Sequence, residues 1–389
     1  MITPKPFDEQ KVPSWNRAVL KVGSSLLAAN DGGLSTRHVL GLAQFISSSH
    51  AAGREVILVS SGAVAAGRMM LADHSDLDTS SAARQAMAAL GQTQTVALWQ
   101  RLFDRPLAQV LLTHDDMRNR RRYLNARATL QELLKHGVLP VVNENDTVAV
   151  DELTLGDNDN LAAIVAGLVD ADVLIIATDI NGLYSANPTD DPDAQPIHEV
   201  IELTPEIMAA AGGTGSSVGT GGMRTKLEAA EKAAAAGIDT FLVNGRDSEV
   251  LRLLPHDRLR GTRLRSTSTK LQARKYWLRH APATPGCIRV DEGAAHAIID
   301  DGASLLPKGV IGANGTFQRG DVVAIKSEET GLSIARGITQ YGAAELNQIN
   351  GCHTRDIEER LGYSYGDTVV HRDDMATITP IEEIGGQHD

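Results

Sequence analysis

Short apolar runs separated by helix-length segments set the strongest constraint on how this chain can fold. Ala18 to Val22, Glu55 to Ser60, Leu107 to Thr113, Val138 to Val142 and Val173 to Thr178 read as strands. Between them, Arg37 to Ala52, the stretches running to about Phe103, Tyr123 to His136 and Asn158 to Val169 read as helices. That alternation predicts βαβ units, and hence a largely parallel sheet with helices on both faces. The runs VILVS, ending at Ser60, and VLIIAT, ending at Thr178, are apolar almost throughout rather than alternating. Strands covered on both faces have that composition. The expected class is α/β, a three-layer α/β/α sandwich with a mainly parallel sheet.

The rhythm continues through a glycine-rich loop, Ala210 to Gly222, a helix ending at Gly237 and a last strand, Thr240 to Val243. From about Gly286 it gives way to short strands and glycine turns, the pattern of a small all-β module. At ~150 residues per domain, a chain of 389 residues predicts two or three domains, and the change of pattern resolves them to two. The expected boundaries are 14–260 for the first domain, 261–284 for a basic connecting segment, 285–367 for the β-module and 368–389 for a C-terminal tail.

Charge narrows the classes of function. The net charge is −12, which disfavours nucleic-acid binding through the whole surface. Its distribution is uneven: Arg252 to Arg279 holds nine basic residues against one acidic, whereas Pro285 to Asp389 holds 8 against 17. The basic run is expected to be a solvated, interdomain or subunit-contact segment, with a nucleic-acid contact as the alternative. Cys287 and Cys352 alone cannot build a disulfide framework or a Cys-rich zinc site. The first residues lack the apolar core of a signal peptide, and no window approaches ~18 consecutive apolar residues. A cytoplasmic protein without a membrane partner is the expectation.

Four constellations carry chemistry. Lys21 ends a strand before Gly23, Ser24 and Ser25, where an open α/β sheet presents ligands with free N–H groups; a surface lysine would look the same. In VSSGAVAAG, Ser60, Ser61 and Gly62 would present hydroxyls and N–H groups to an anion, unless they merely cap a helix. NENDTVAVDELTLGDNDN, Asn143 to Asn160, packs acids and amides more densely than helix capping requires. Finally, Thr178 and Asp179 end a strand, and Lys226 stands at the foot of the glycine loop, where glycines let N–H groups close around oxygens and a lysine adds a point charge. The loop is neither a Walker A nor a dinucleotide fingerprint. His371-Arg372-Asp373 lacks the Asn and the D-F-G of a protein-kinase catalytic loop.

In order and spacing, KVGSS, SSGAVAAG, Tyr123 to Arg127, NENDTVA, GDNDN and GTGGMRTK resemble the amino acid kinase family, and within it the glutamate 5-kinase family. VDEGAAHAI, SLLPKGV and ARGITQY resemble a PUA domain. The resemblance implies the amino acid kinase fold and ATP-dependent phosphorylation of the γ-carboxylate of L-glutamate, the first step of proline biosynthesis. It implies that Lys21, Thr178, Asp179 and Thr220, Gly221, Gly222, Met223, Arg224, Thr225 and Lys226 bind ATP, and that Ser61, Asn143, Asp146 and Asn158 hold glutamate. Lys21, Lys226, Asp157 and Asp159 are the expected catalytic set, with Asp159 as an orienter between the lysines. Mg²⁺ is expected to ride on the nucleotide with several waters. A homo-oligomer, dimer or tetramer, and a glutamyl phosphate reductase as partner complete the implication. Two alternatives stay open: a sister kinase acting on acetylglutamate, aspartate or a nucleotide, and an RNA-binding protein acting through the β-module. The module's acidity makes RNA the poorer partner.

Overall fold

A computed structural model describes residues 4–27, 34–71, 80–149, 158–188, 190–210, 222–280 and 286–378. The chain divides into two compact units, Met1–Thr269 and Lys270–Asp389.

The first unit is built on strands β1 (Arg17–Val22), β2 (Glu55–Ser60), β3 (Leu107–Leu112), β4 (Leu139–Glu144), β5 (Val173–Thr178), β6 (Glu199–Val200), β7 (Asp239–Asn244) and β8 (Thr262–Leu264). Among the described residues they form one sheet in the order β3-β4-β2-β1-β5-β7-β8-β6, parallel from β3 to β7. Only the β7–β8 pairing is antiparallel. Among its helices are α1 (Val39–Ala51), α2 (Ala63–Met70), α3 (Ser81–Gln100), α4 (Arg120–Lys135), α5 (Asn158–Leu168), α6 (Met223–Ala235) and α7 (Ser248–Leu253).

The period of two in each strand divides the core. Val19, Ile57, Val59, Leu174 and Ile176 pack with Leu130 of α4, Leu161 of α5 and Leu227 of α6. Their neighbours Leu20, Val22, Val56, Leu58 and Ile175 pack on the opposite face with Phe45 of α1, Trp99 of α3 and Leu251 of α7. Apolar residues in the middle of these strands therefore serve both faces, and the three-layer α/β/α expectation is borne out. The sheet runs from β1 to β2 on one side and to β5 on the other. A crevice opens at such a reversal, outside the carboxyl ends of the strands.

One difference from expectation concerns the edge of this unit. The basic run is not one connector: Thr262–Leu264 joins the first sheet as β8, and Lys270–His280 forms a helix, α8, in the second unit. Arg252, Arg258, Arg263, Arg265 and Arg274 each pair with a carboxylate, Arg263 with Asp239 at 2.6 Å. The charge excess seen along the sequence is thus largely neutralised by acids from other segments.

In the second unit β9 (Cys287–Val290), β10 (Val310–Asn314), β11 (Val322–Ser327), β12 (Ser333–Ile338) and β13 (Met375–Thr377) form a sheet in the order β10-β9-β11-β12-β13. The expected tail from 368 therefore contributes a strand, because Met375 and Ala376 are apolar and pair with Gly337 and Arg336. Short helices accompany the strands: α9 (Glu292–Ile299), capped by Asp291 at 2.7 Å from the Ala294 N–H, and α10 (Ala343–Ile349). An Asp cap directly after a strand explains how the VDEG turn opens into a helix.

The packing of α2 on α3 depends on Gly91, where an added Cβ would lie 1.8 Å from the Ala63 carbonyl oxygen. Replacing Gly91 by Ala should cost about 1–3 kcal/mol or more through overpacking. Urea unfolding checks this, and a midpoint equal to that of the unsubstituted protein would contradict the close approach.

Candidate active site

The parallel strands bring their carboxyl ends to one edge, so Lys21, Ser61, Asn143 and Thr178, far apart in sequence, lie together there. Strand parity then decides which way each side chain faces. Lys21 shares the face of Val19 and Ile176, the one covered by α5 and α6. Those helices supply Asp159 and Lys226, and the three meet. Lys21 Nζ stands 2.6 Å from Asp159 Oδ1, and Lys226 Nζ 3.2 Å from Oδ2. Asp159 is fully buried, and each lysine is only 6% exposed.

Burial pushes the Asp159 carboxyl up, but the charges of Lys21 and Lys226 and a hydrogen bond from Thr225 outweigh it and hold the group below the ordinary carboxylate range. Thr225 Oγ lies 3.0 Å from Asp159 Oδ2 and 2.9 Å from the Gly222 carbonyl, so its one proton serves one of them at a time. Lys226 Nζ is also 3.3 Å from that carbonyl. The glycine before α6 is thus tied to the same charge cluster.

Beside this cluster lies a neutral polar one. Asn158 Nδ2 reaches Ser61 Oγ and Asn143 Oδ1, each at 2.9 Å, and the Ser60 carbonyl at 3.4 Å. Asn143 is buried, and its Oδ1 also accepts the Glu144 N–H at 2.9 Å. Asp146 follows on the turn after β4; burial raises its carboxyl above the usual range, with the Arg84 charge and a backbone hydrogen bond opposing.

Ser60 and Gly23 depart from expectation. Parity turns Ser60 to the face of Val56 and Leu58, where its hydroxyl is fully buried and accepts from Trp99 Nε1 at 2.9 Å. Only Ser61 of the pair presents its hydroxyl at the site. The Gly23 N–H, expected as a ligand donor, is directed to the Ala177 carbonyl at 3.3 Å. Gly62, with φ of 102°, makes the turn into α2 in a backbone conformation that suits glycine.

Of the remaining expected residues, Thr178 Oγ lies 3.2 Å from Asp179 Oδ1, and Arg246 Nη2 3.4 Å from Asp179 Oδ2. Met223 packs against the core, and Arg224 pairs with Glu228 one turn along α6 at 2.9 Å. Asp157, Thr220 and Gly221 lie outside the described residues. Sequence reasoning passed over Trp99, Arg84 and Arg246. Arg246 could have been found, since it follows the carboxyl end of β7, whereas an indole inside an apolar helix gives no signal beyond core packing. Arg127, part of the matched motif, pairs with Asp170 at 2.7 Å, next to the start of β5 and so away from this edge.

The sequence profile of the amino acid kinase family matches residues 16–244, the span that carries both clusters. This chain belongs to the amino acid kinase family. Within that family it is 63% identical over 381 residues to the glutamate 5-kinase of Xylella fastidiosa (strain 9a5c), covering 97% of this chain and 99% of the relative. It is 66% identical over 362 residues to the glutamate 5-kinase of Xanthomonas oryzae pv. oryzae (strain KACC10331 / KXO85), covering 92% and 100%. The profile of the PUA domain matches residues 286–361. The resemblance read from the motifs is borne out for both parts of this kinase. Among the described residues no helix is long and apolar enough to cross a membrane.

Asp159→Asn should destabilise this family member by about 3–5 kcal/mol at neutral pH, because two buried ammonium groups lose their counter-charge. A depressed folded pKa means that the stabilisation is complete above the ordinary carboxylate value, near ~4, and is lost as pH falls through the folded one. Urea unfolding at neutral and acid pH should therefore show the gap between the two proteins narrowing below about pH 4. A gap independent of pH would contradict the ion pairs.

Proposed function

We propose that this chain transfers the γ-phosphoryl group of ATP to the γ-carboxylate of L-glutamate, giving γ-glutamyl phosphate and ADP, the first step of proline biosynthesis. The observation that carries the reading is the pair of lysines fixed on one buried aspartate, beside a neutral cluster of amides and hydroxyl at the same sheet edge. Relatives at 63% and 66% identity that bear the name glutamate 5-kinase support it.

The chemistry needs no general base. A carboxylate with a pKa near ~4.3 is ionised at neutral pH. One of its oxygens forms a bond to the γ-phosphorus as the bond to the bridging oxygen breaks, and the electron pair leaves with ADP. Two anions have to be held in line, so catalysis lies in positioning and in neutralising charge. Lys21 and Lys226 supply the charge from two sides of the phosphoryl group, and Asp159 sets their separation without touching substrate. Thr178, Asp179 and the segment Thr220 to Lys226 are assigned to the nucleotide. Ser61, Asn143, Asp146 and Asn158 are assigned to glutamate, the Asp146 carboxylate facing its ammonium, and Asp157 to the metal or that ammonium.

Mg²⁺ would reduce the charge on the phosphates when bound. Both Asp159 oxygens are occupied by ammonium groups, a poor donor set for a divalent cation, so the metal is assigned to the nucleotide phosphates. A cytoplasmic location, a homo-oligomeric assembly and a reductase that consumes the labile acyl phosphate belong to the same reading, resting on the resemblance and on the chemistry of the product.

ADP release compared across glutamate, N-acetylglutamate and aspartate separates this function from that of a sister kinase: glutamate should be preferred, and preference for another acceptor would overturn it. Lys226→Ala should lower kcat by about 10²–10³ with little change in the glutamate KM. A large KM effect at normal kcat would remove its transition-state role. Asn158→Ala should chiefly raise the glutamate KM, and unchanged glutamate saturation would take it out of the substrate site.

A further inference from the structure

We infer that Trp99 is a positioning residue for the acceptor half of the site, acting through Ser60 on the Ser61–Asn158 pair; the inference rests on that half being the glutamate site. Trp99, in the last turn of α3, is fully buried, and its indole offers a single donor. A donor without access to water must find an acceptor inside the protein, and Ser60 Oγ provides it at 2.9 Å. Ser60 is itself fully buried, so the bond has no competitor from solvent.

Ser60 is thereby held from two directions. Trp99 fixes its hydroxyl from behind the sheet, and Asn158 Nδ2 approaches its carbonyl from the front at 3.4 Å. Ser61 follows directly, with its N–H on the Val22 carbonyl at 3.2 Å and its hydroxyl on Asn158. Since Gly62 then turns the chain, the direction of Ser61 Oγ depends on how firmly the Ser60 backbone is seated.

The helix that carries Trp99 also reaches the other wall of this half. Near its start, Gln85 Nε2 donates to the Ala149 carbonyl at 3.2 Å, on the stretch that bears Asp146. Gly91 locks the same helix onto α2. One helix therefore references both the serine ridge and the acidic turn. Lys21 faces the opposite side of the sheet from Trp99, so loss of the indole N–H should affect acceptor binding and leave phosphoryl transfer alone.

The test replaces Trp99 site-specifically by L-3-benzothienylalanine, which keeps the shape of indole but has sulfur in place of N–H. Trp99→Phe and Ser60→Ala are made alongside. The isostere should raise the glutamate KM about five- to tenfold, with kcat and the ATP KM within about twofold. Ser60→Ala should do the same, and the isostere should add nothing in the Ser60→Ala background. An isostere with an unchanged glutamate KM would overturn the inference alone, as would a loss of kcat with both KM values unchanged, the signature of packing only. Absence of glutamate saturation in the unsubstituted protein would overturn the functional reading, and this inference with it.

Discussion

A single buried carboxylate determines how the charged half of this site can exist. Lys21 and Lys226 come from segments more than two hundred residues apart, and their ammonium groups would repel one another in an interior that solvates neither. Asp159, between them, makes their proximity tolerable and sets its distance. In the proposed function, a cation pair prepared in this way requires no reorganisation when negative charge develops on a transferred phosphoryl group. Asp159 itself is fully buried, with an ammonium group on each carboxylate oxygen.

The sheet makes that meeting possible. Lys21 stands on the strand where the connectivity reverses, at the carboxyl edge where ligands of open α/β sheets sit. The same residue parity that aims Lys21 at α5 and α6 aims Ser60 away from them, toward Trp99. One face of the edge therefore acquires charge, while on the other a buried indole holds the serine next to the neutral polar cluster.

Much of this was legible in the residues. Strands apolar on both faces announced the covered parallel sheet, and the density of amides and acids from Asn143 to Asn160 announced a polar site. Local pattern was blind wherever long-range pairing decided the outcome. The basic run looked like a cationic surface because its acidic partners, among them Glu9, Glu199 and Asp239, lie elsewhere in the sequence. The segment beyond 368 looked like a tail because a three-residue strand carries too little pattern to be recognised without its partner. Ser60 and Ser61 are chemically identical, and only the sheet distinguishes the buried hydroxyl from the presented one. Asp157 and most of the glycine loop lie outside the described residues, so their expected roles stand on resemblance.

The measurement that bears most directly on the account is trapping of the acyl phosphate. With ATP and L-glutamate in the presence of hydroxylamine, γ-glutamyl hydroxamate should form in proportion to ADP, and replacing either lysine should lower both together by about 10²–10³. ADP formation without hydroxamate, or hydroxamate formation that survives loss of both lysines, would contradict it.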